Sequence, residues 1–229
     1  LHVRLQGHVV RSLQLVFLED WLYATRQAQG AFHGQQLWPE DVPTRKQGSI
    51  DAQVLVSGPD SSWEAIHRLM VAAIHEARHR VWLVTPYFVP GEAARMALTS
   101  AALGGLDVRL LIPRVSDSRL VTYAARSYFD ELLEAGVRIY EYGPRMLHTK
   151  ALIADDDVCI VGSANFDSRS FRLNFELSML FRDQAVAAEL AGMIGTDMAQ
   201  AQEVRFNLRR PFWRSRLPEA FARLLSPLL

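Results

Sequence analysis

The sequence predicts an α/β protein of layered type, in which strands alternate with helices along the chain. Short apolar runs such as VWLVT and DVRLLIP alternate along the chain with longer segments whose apolar residues recur at helical spacing. Gly and Pro lie between many of these segments, as expected at turns. The composition, 49% hydrophobic and 22% charged, is sufficient for a packed core. Alternation of strands with helices favours a layered α/β fold.

The first 58 residues predict two strands separated by a helix and a loop. LHVRL, residues 1–5, predicts a short strand, and QVLVSG predicts another. Residues 26–50 are polar and contain several Gly and Pro residues, which predicts a loop or linker. Between LHVRL and this loop, GHVVRSLQLVFLEDWLYAT predicts a helix, because apolar residues recur at helical spacing: Val9, Leu13, Val16, Phe17 and Trp21.

A possible capping box predicts the next helix, over residues 62–79. Ser61 and Glu64 have the spacing of the two residues that cap a helix reciprocally. The predicted buried stripe consists of Trp63, Ile66, Met70, Ala73, Ile74 and Ala77. VWLVT then predicts a strand, and PGEAARMALTSAALGG predicts a helix between Pro90 and Gly104.

The remaining elements continue the alternation. DVRLLIP predicts a strand, residues 117–135 predict one helix that ends at Gly136, and VRIYEY predicts the following strand. NFELSMLF predicts a strand near the C-terminus. Asp183 is expected to cap a final helix that runs to about residue 203.

The run HTKALIADDDVCIVGSAN, residues 148–165, carries the most chemistry. His148 and Lys150 are two residues apart, so on a strand their side chains leave the same face. The apolar ALIA, a tight DDD turn and the apolar CIVGSAN predict a hairpin that returns Ser163 and Asn165 to the level of His148. An imidazole, an ammonium, a hydroxyl and an amide around one small volume suit a phosphodiester.

Lysine usage supports a special role for Lys150. The chain has 25 lysines and arginines together, of which only Lys46 and Lys150 are lysines. Where any cation would suffice, this sequence nearly always has arginine. A lysine within the run therefore suggests that a compact point charge is required.

These residues resemble the HKD motif of the phospholipase D superfamily at every fixed position: His148, Lys150, Asp155, Gly162, Ser163 and Asn165. Outside the motif, RLQGHVVRSLQLVFLEDW, TPYFVP, LLIPRVSDS, YFDELLEAGVRIYEY and GSANFDSRSFRLNFE are similar to bacterial cardiolipin synthases. The resemblance implies an α/β fold of the phospholipase D-like type, a layered sandwich with a mixed central β-sheet flanked by helices. Family members carry two HKD motifs behind N-terminal membrane helices, whereas this chain starts at Leu1 and has one motif. It is therefore interpreted as a fragment, the C-terminal half.

The same resemblance implies two regions. Residues 1–48 are expected to be the tail of a first phospholipase D-like domain plus a linker. Residues 49–229 are expected to be a second such domain that carries the HKD motif and ends in a basic and apolar arm. The run RFNLRRPFWRSRLPEAFARLLSPLL mixes arginine with aromatic and leucine residues, which favours an interfacial membrane segment over an arm packed on the absent domain.

The reaction implied by the resemblance is phosphatidyl transfer. One phosphatidylglycerol gives its phosphatidyl group to an enzyme histidine, forming a covalent phosphohistidine intermediate and releasing glycerol. The hydroxyl of a second phosphatidylglycerol then attacks and gives cardiolipin. Neither cofactor nor metal is expected, because lysine and polar donors neutralise the phosphate and no His/Cys/Asp cluster has metal-ligand spacing.

Such chemistry needs two imidazoles, and the resemblance favours His148 as the general acid/base, with the nucleophile role left open. Lys150 is expected to neutralise phosphate oxygens, while Ser163 and Asn165 either donate hydrogen bonds to phosphate or hold His148. The resemblance makes Asp155 a structural residue of the hairpin. Glu176, 28 residues after His148, is expected to orient an imidazole, which could be that of the missing half.

The expected partners follow from this interpretation. They are a phospholipid (phosphatidylglycerol), a membrane surface, and either the missing N-terminal half or a second copy of the chain. The expected location is the bacterial inner membrane, with this fragment peripheral. Nucleic acid is not expected as a partner, since the formal net charge is zero and the similarity outside the motif is to the synthases.

Alternatives remain open at this point. A phospholipase D-type hydrolase shares the covalent intermediate, and a homodimeric HKD nuclease would complete its site with a second copy. Residues 1–48 argue against the nuclease, which has no use for the tail of a preceding domain. A non-catalytic remnant that only holds phosphate is the third possibility. Arg169 and Arg172, close after the motif, could bind phosphate or pair with nearby acids.

Overall fold

A computed structural model describes residues 1–26, 32, 50–205, 213 and 216–226. The strands within these ranges are β1 (Asp51–Ser57), β2 (Arg80–Val84), β3 (Phe88–Val89), β4 (Asp107–Pro113), β5 (Arg138–Tyr142), β6 (Ala151–Ala154), β7 (Val158–Gly162), β8 (Phe166–Asp167), β9 (Glu176–Arg182) and β10 (Ala201–Val204). The helices are α1 (Val9–Thr25), α2 (Ala65–Glu76), α3 (Glu92–Leu103), α4 (Arg119–Arg126), α5 (Phe129–Glu134), α6 (Ser168–Arg172), α7 (Gln184–Ala199) and α8 (Leu217–Leu224).

A mixed eight-stranded sheet forms the centre of the fold, in the order β1-β9-β7-β6-β2-β4-β5-β10, and β3 pairs with β8 in a small second sheet. The strands β2, β4 and β5 are parallel, and the other pairings in the large sheet are antiparallel. The ends of β1, β2, β4, β5 and β7 and the starts of β6 and β9 therefore lie at one edge. We call this edge the carboxyl edge and the opposite one the amino edge.

Two apolar clusters cover the two faces of the sheet, which makes the fold a helix–sheet–helix sandwich. On one face, α2, α3, α4 and α5 pack against residues such as Leu83 and Leu152. On the other face, α7 packs against residues such as Val84 and Ile153, and α1 adds partly buried side chains. The predicted α/β layered class is confirmed.

The predicted strand over residues 1–5 is wrong. Residues 1–6 form no strand, and α1 begins at Val9. A strand needs a neighbour for its backbone hydrogen bonds, and no described segment pairs with LHVRL. Leu5 instead packs against the cluster on the α7 face.

The predicted capping box at Ser61 and Glu64 does not form. The helix α2 begins at Ala65, and Glu64 has a left-handed backbone with φ of 47°. Its carboxylate accepts a hydrogen bond from Arg172 Nε at 2.9 Å and lies 3.0 Å from His67 Nδ1. Because two basic side chains engage this carboxylate, it does not cap the helix. Trp63, predicted to be buried, is exposed.

Two predicted helices have different bounds. The single helix predicted over 117–135 is divided into α4 and α5, and the Ser127 hydroxyl between them donates to the Ala124 carbonyl at 2.6 Å. The final helix is capped by Asp183, which accepts from Val186 N at 2.9 Å, but it ends at Ala199 rather than near residue 203. The following residues form β10 instead, because β5 offers a free edge for pairing.

Several predictions fall outside the described residues. Nearly all of the loop predicted over 26–50, including the boundary at 48 and 49, lies there, as does most of the basic run that starts at Arg205. The division into two regions therefore stays a prediction. None of the described helices combines the length and the apolar character required to cross a membrane.

Candidate active site

The predicted hairpin forms from β6 and β7, with Asp155 at its turn. His148 and Lys150 do not lie within a strand as predicted, but directly precede β6. Lys150 O accepts from Gly162 N at 3.3 Å, which extends the ladder by one residue. Lys150 Nζ lies 3.0 Å from His148 Nδ1 and donates to His148 O at 2.9 Å. The imidazole and the ammonium thus meet at the carboxyl edge.

The hydroxyl of Ser163 contacts an acid and not His148. It donates to Glu176 Oε2 and accepts from Leu177 N at 2.9 Å. The other oxygen of this carboxylate accepts from Asn174 Nδ2 at 3.1 Å. The motif serine therefore fixes Glu176 across the β7–β9 pairing.

The amide of Asn165 also has a partner other than His148. Its Nδ2 donates to Ser170 Oγ at 3.1 Å, and its Oδ1 is buried without a hydrogen-bond partner in the described part of the chain. The hairpin brings Ser163 and Asn165 to the carboxyl edge, but their hydrogen bonds go to Glu176, Leu177 and Ser170 and not to the His148 ring.

Gly162 is explained by the close approach of β9. A Cβ at this position would clash with the Ser178 hydroxyl and with the Leu177 carbonyl. Only glycine lets β7 and β9 approach at this point. The pairing that aligns Ser163 with Glu176 depends on it.

Asp155 lies at the opposite end of β6, at the amino edge. Its carboxylate accepts from the backbone N–H groups of Arg78, His79 and Arg80 at 2.9, 2.8 and 3.2 Å. Burial acts to raise the pKa of Asp155, but these hydrogen bonds lower it overall. With φ of 55°, Asp155 also adopts the left-handed backbone required by the turn. All of these contacts fasten the hairpin to the start of β2.

The ammonium of Lys150 lies in a partly buried and acidic environment. Burial lowers the pKa of Lys150, and the nearby carboxylates of Glu176 and Asp167 oppose the shift. Asp167 is buried, and burial raises its pKa even though it accepts from Ser170 N at 2.6 Å. The charges of two acids, Glu176 and Asp167, therefore act on the ammonium of Lys150.

Asp167 was missed by sequence reasoning. The sequence DSRS could have revealed it, because an Asp that precedes a short helix often caps it by accepting a hydrogen bond from the N–H group three residues later, here that of Ser170. Tyr87 and Asp117 were also missed. The Tyr87 hydroxyl donates to Asp117 Oδ1 at 2.8 Å, and burial, this bond and the charge of Asp167 raise the pKa of Tyr87. They follow β2 and β4, so they share the carboxyl edge with Lys150.

The other reactive side chains have structural contacts. His67 stacks on Phe171 with ring centroids 4.3 Å apart, and Arg172 pairs with Glu64. Burial raises the pKa of the Cys159 thiol to about 11, so the thiol stays protonated at neutral pH. In the described ranges, no group of three or more His, Cys, Asp or Glu residues could hold a metal ion.

Comparison with known sequences places these features in a family. Residues 70–198 match the family described as "Cardiolipin synthase, PLD-like domain". The whole chain is 44% identical to "Cardiolipin synthase 2" of Bacillus anthracis, of which it covers 44%, and 43% identical to "Cardiolipin synthase A" of Pseudomonas putida strain GB-1, of which it covers 46%. The chain thus spans less than half the length of these relatives.

Solved structures share the fold at low identity. A phosphatidylserine synthase from Haemophilus influenzae superposes with a TM-score of 0.65 at 14% identity, over 79% of this chain and 48% of that one. The phospholipase D family member Nuc from Salmonella typhimurium superposes with a TM-score of 0.58 at 21% identity, over 68% of this chain and 99% of that one.

Proposed function

Because the chain belongs to the family of cardiolipin synthase, PLD-like domains, we propose that it supplies one half of an active site that transfers a phosphatidyl group between phospholipids. Phosphatidylglycerol is the proposed substrate and cardiolipin the product. The contact between Lys150 Nζ and the His148 ring at an exposed edge is the observation that carries the proposal. It gives a proton carrier and a fixed positive charge at one point, as phosphodiester chemistry requires.

The proposed reaction has two displacements. An imidazole nitrogen attacks the phosphorus of one phosphatidylglycerol, the bond to the glycerol oxygen breaks, and a second imidazole donates a proton to that oxygen. The second imidazole then removes the proton from a hydroxyl of another phosphatidylglycerol. This oxygen bonds to phosphorus as the phosphorus–nitrogen bond breaks. His148 is assigned to the acid/base role, and the nucleophile comes from a second HKD motif, in the remaining half or in a second copy.

The charged neighbours support this assignment. Lys150 is the cation in contact with His148, so it neutralises the phosphate oxygens as negative charge develops on them. Glu176 accepts hydrogen bonds from Ser163 and Asn174 and none from His148. We therefore assign Glu176 to orienting the nucleophilic imidazole of the other motif, and Ser163 to holding Glu176.

The remaining predicted residues have supporting roles in the proposal. Asp155 fastens the hairpin and does not touch substrate, since its carboxylate is bonded to backbone at the far edge. Asn165 has one free buried oxygen among the described atoms, and its amide nitrogen is held by Ser170. The proposed location is the surface of the bacterial inner membrane, where the lipid substrate lies.

The test is to purify the 229-residue chain, alone and with the remaining half of the enzyme supplied in trans, and to assay both with labelled phosphatidylglycerol. We expect little turnover by the chain alone and labelled cardiolipin from the mixture. Phosphatidic acid as the only product would instead establish a hydrolase. A homodimer of the chain that cleaves plasmid DNA and ignores lipid would overturn the proposal.

A further inference from the structure

Four connections at the carboxyl edge present exposed apolar side chains. Trp63 follows β1, Val115 follows β4, Met146 follows β5, and Leu173 precedes β9. Their side chains are 70%, 72%, 54% and 64% exposed. Four separate segments thus place apolar groups around the edge where His148 lies. No single helix or strand accounts for the pattern.

An arginine accompanies each of these apolar residues. Arg114, Arg145 and Arg172 directly precede Val115, Met146 and Leu173, and all three are exposed. The guanidinium of Arg68 lies 5.8 Å from the centroid of the Trp63 ring. The apolar side chains at this edge therefore come with a positive charge beside each one.

These arginines are only partly neutralised. Arg172 pairs with Glu64, whereas Arg114 and Arg145 form no ion pair with any described acid. The nearby acids in the same connections are Asp60, Glu64 and Asp117.

Two of these acids are already engaged by other groups. Asp117 accepts hydrogen bonds from the Tyr87 and Ser116 hydroxyls, and Glu64 is bonded to His67 and Arg172. The two free arginines therefore leave positive charge available to an anionic partner.

We propose that these four connections form a docking surface for a bilayer that contains anionic phospholipid. The apolar side chains would enter the boundary between headgroups and acyl chains, and the arginines would bind lipid phosphates. The proposal rests on the proposed function, because docking by this edge brings the exposed His148 to the headgroups of a lipid substrate. It assigns membrane contact to the edge loops and is independent of the basic C-terminal run.

The test measures binding of the chain to vesicles in a His148→Ala background, in which lipid is not consumed. The edge variant replaces Val115, Met146 and Leu173 by Ser. The control variant replaces three exposed apolar residues of α3 and α7 by Ser: Met96, Leu103 and Met193. Binding to vesicles of phosphatidylglycerol with phosphatidylcholine, and of phosphatidylcholine alone, is measured by cosedimentation at low and high salt.

A charge variant separates the two parts of the surface. Arg114→Gln with Arg145→Gln is compared with Arg78→Gln and Arg182→Gln, two exposed arginines at the amino edge. Each basic residue at an anionic surface contributes about fivefold to binding, so the edge pair should weaken binding to phosphatidylglycerol vesicles by about 25-fold. The amino-edge pair should change it by less than about threefold.

The expected result is that the apolar edge variant also loses about tenfold or more in vesicle binding, that its control does not, and that salt weakens binding by the parent. Equal binding by all variants, or no binding by the parent, overturns the proposal. So does a change in self-association of the edge variant with vesicle binding intact, which would assign the surface to a second copy. Because turnover is not measured, a failure here leaves the transferase proposal standing.

A second measurement avoids dependence on the folding of a triple variant. Brominated phosphatidylglycerol should quench the fluorescence that Trp63 contributes, obtained as the difference between the parent and Trp63→Phe. If this difference signal is not quenched by brominated lipid, the edge does not enter the bilayer.

Discussion

His148 and Lys150 have different exposures, and the difference suits their proposed tasks. The imidazole is exposed, so a phosphodiester can reach it, while the lysine is half-buried. A charge that is partly removed from water interacts more strongly with a phosphate, because the solvent screens it less. The pair therefore combines an accessible proton carrier with an effective fixed charge.

Replacing His148 by Ala should abolish phosphatidyl transfer in the assembled enzyme without changing its melting temperature. Loss of a general acid/base typically lowers the rate by ~10²–10⁴-fold, and an exposed side chain contributes little to stability. Steady-state assays with labelled phosphatidylglycerol measure the rate, and His75→Ala, an exposed histidine on α2, serves as the matched control. Turnover within tenfold of the parent would contradict the role assigned to His148.

Asp155 shows how one side chain can fasten a hairpin turn to the start of another strand. Its carboxylate accepts hydrogen bonds from three successive backbone N–H groups, two just before β2 and one at the first residue of β2. Asp155 belongs to the HKD motif by sequence, but its contacts hold the fold at the amino edge, at the opposite end of β6 from Lys150.

Replacing Asp155 by Asn should lower the free energy of unfolding at pH 7 by about 1–3 kcal/mol, because hydrogen bonds to a charged acceptor are lost. Asn tolerates the left-handed backbone, so the change isolates the charge. The pKa of Asp155 is lower in the folded than in the unfolded chain. The charge of Asp155 therefore contributes fully to the stability of the folded state above the pKa of the unfolded chain, about 3.9. This contribution disappears as the pH falls through the lower pKa of the folded chain.

Urea denaturation at pH 7 and at pH 3 measures this difference between parent and variant. The difference should be smaller at pH 3. A difference that is the same at both pH values would show that the carboxylate charge is not what holds β2 to the hairpin.

At the level of secondary structure, the site depends on the approach of β7 to β9. Gly162 lies where the Leu177 carbonyl and the Ser178 hydroxyl leave no room for a side chain. Ser163 and Glu176 face each other only because these two strands pair closely at this point. In the proposed function, the motif therefore depends on this glycine as well as on the histidine.

Gly162→Ala should force these strands apart, with a stability loss of about 1–3 kcal/mol as for other overpacked sites. Gly192→Ala is the matched control, since nothing lies within 4 Å of a Cβ added there in α7, and alanine in a helix stabilises by about 0.5–1 kcal/mol. Thermal denaturation compares the two variants, and the transfer assay should show a loss only for Gly162→Ala. Equal stability of both variants would rule out a close approach at Gly162.

For the molecule as a whole, the proposed function makes the charge balance at the carboxyl edge decisive for how a phosphate is held. Lys150 lies near Glu176 and Asp167, and the arginines of the edge connections lie at the same edge of the sheet. In this proposal, Lys150 turns from attracting the carboxylates of Glu176 and Asp167 to attracting the incoming phosphodiester. The protein cations can then supply the stabilisation of negative charge that other phosphodiesterases obtain from divalent ions.

Transfer by the assembled enzyme should therefore persist in excess EDTA. The rate is measured with labelled phosphatidylglycerol before and after dialysis against chelator, with Lys150→Met as the variant that should lose activity under both conditions. Loss of activity in EDTA that a single divalent ion restores would show that Lys150 is not the main source of charge stabilisation.

The core of the motif was predictable because its geometry is local. A four-residue apolar strand, a three-residue turn and a second strand form a hairpin from sequence alone, although His148 and Lys150 lie just before the first strand and not within it as predicted. The order of the main strands and helices was also evident from apolar periodicity. These features depend on neighbours a few residues apart along the chain.

Other parts of the site depend on contacts between distant segments. The spacing of Ser163 did not reveal its bond to Glu176, and nothing local tied Asp155 to backbone groups more than 70 residues earlier. Asp167, whose charge acts on Lys150, lies in β8, which pairs with the distant strand β3. For the same reason, the strand predicted at LHVRL failed and β10 was missed, since pairing partners decide whether an extended segment becomes a strand. The sequence by itself determined the reactive groups and their hairpin. Only the tertiary structure decided which acids and backbone groups surround them, because those contacts form between strands that the chain brings together from afar.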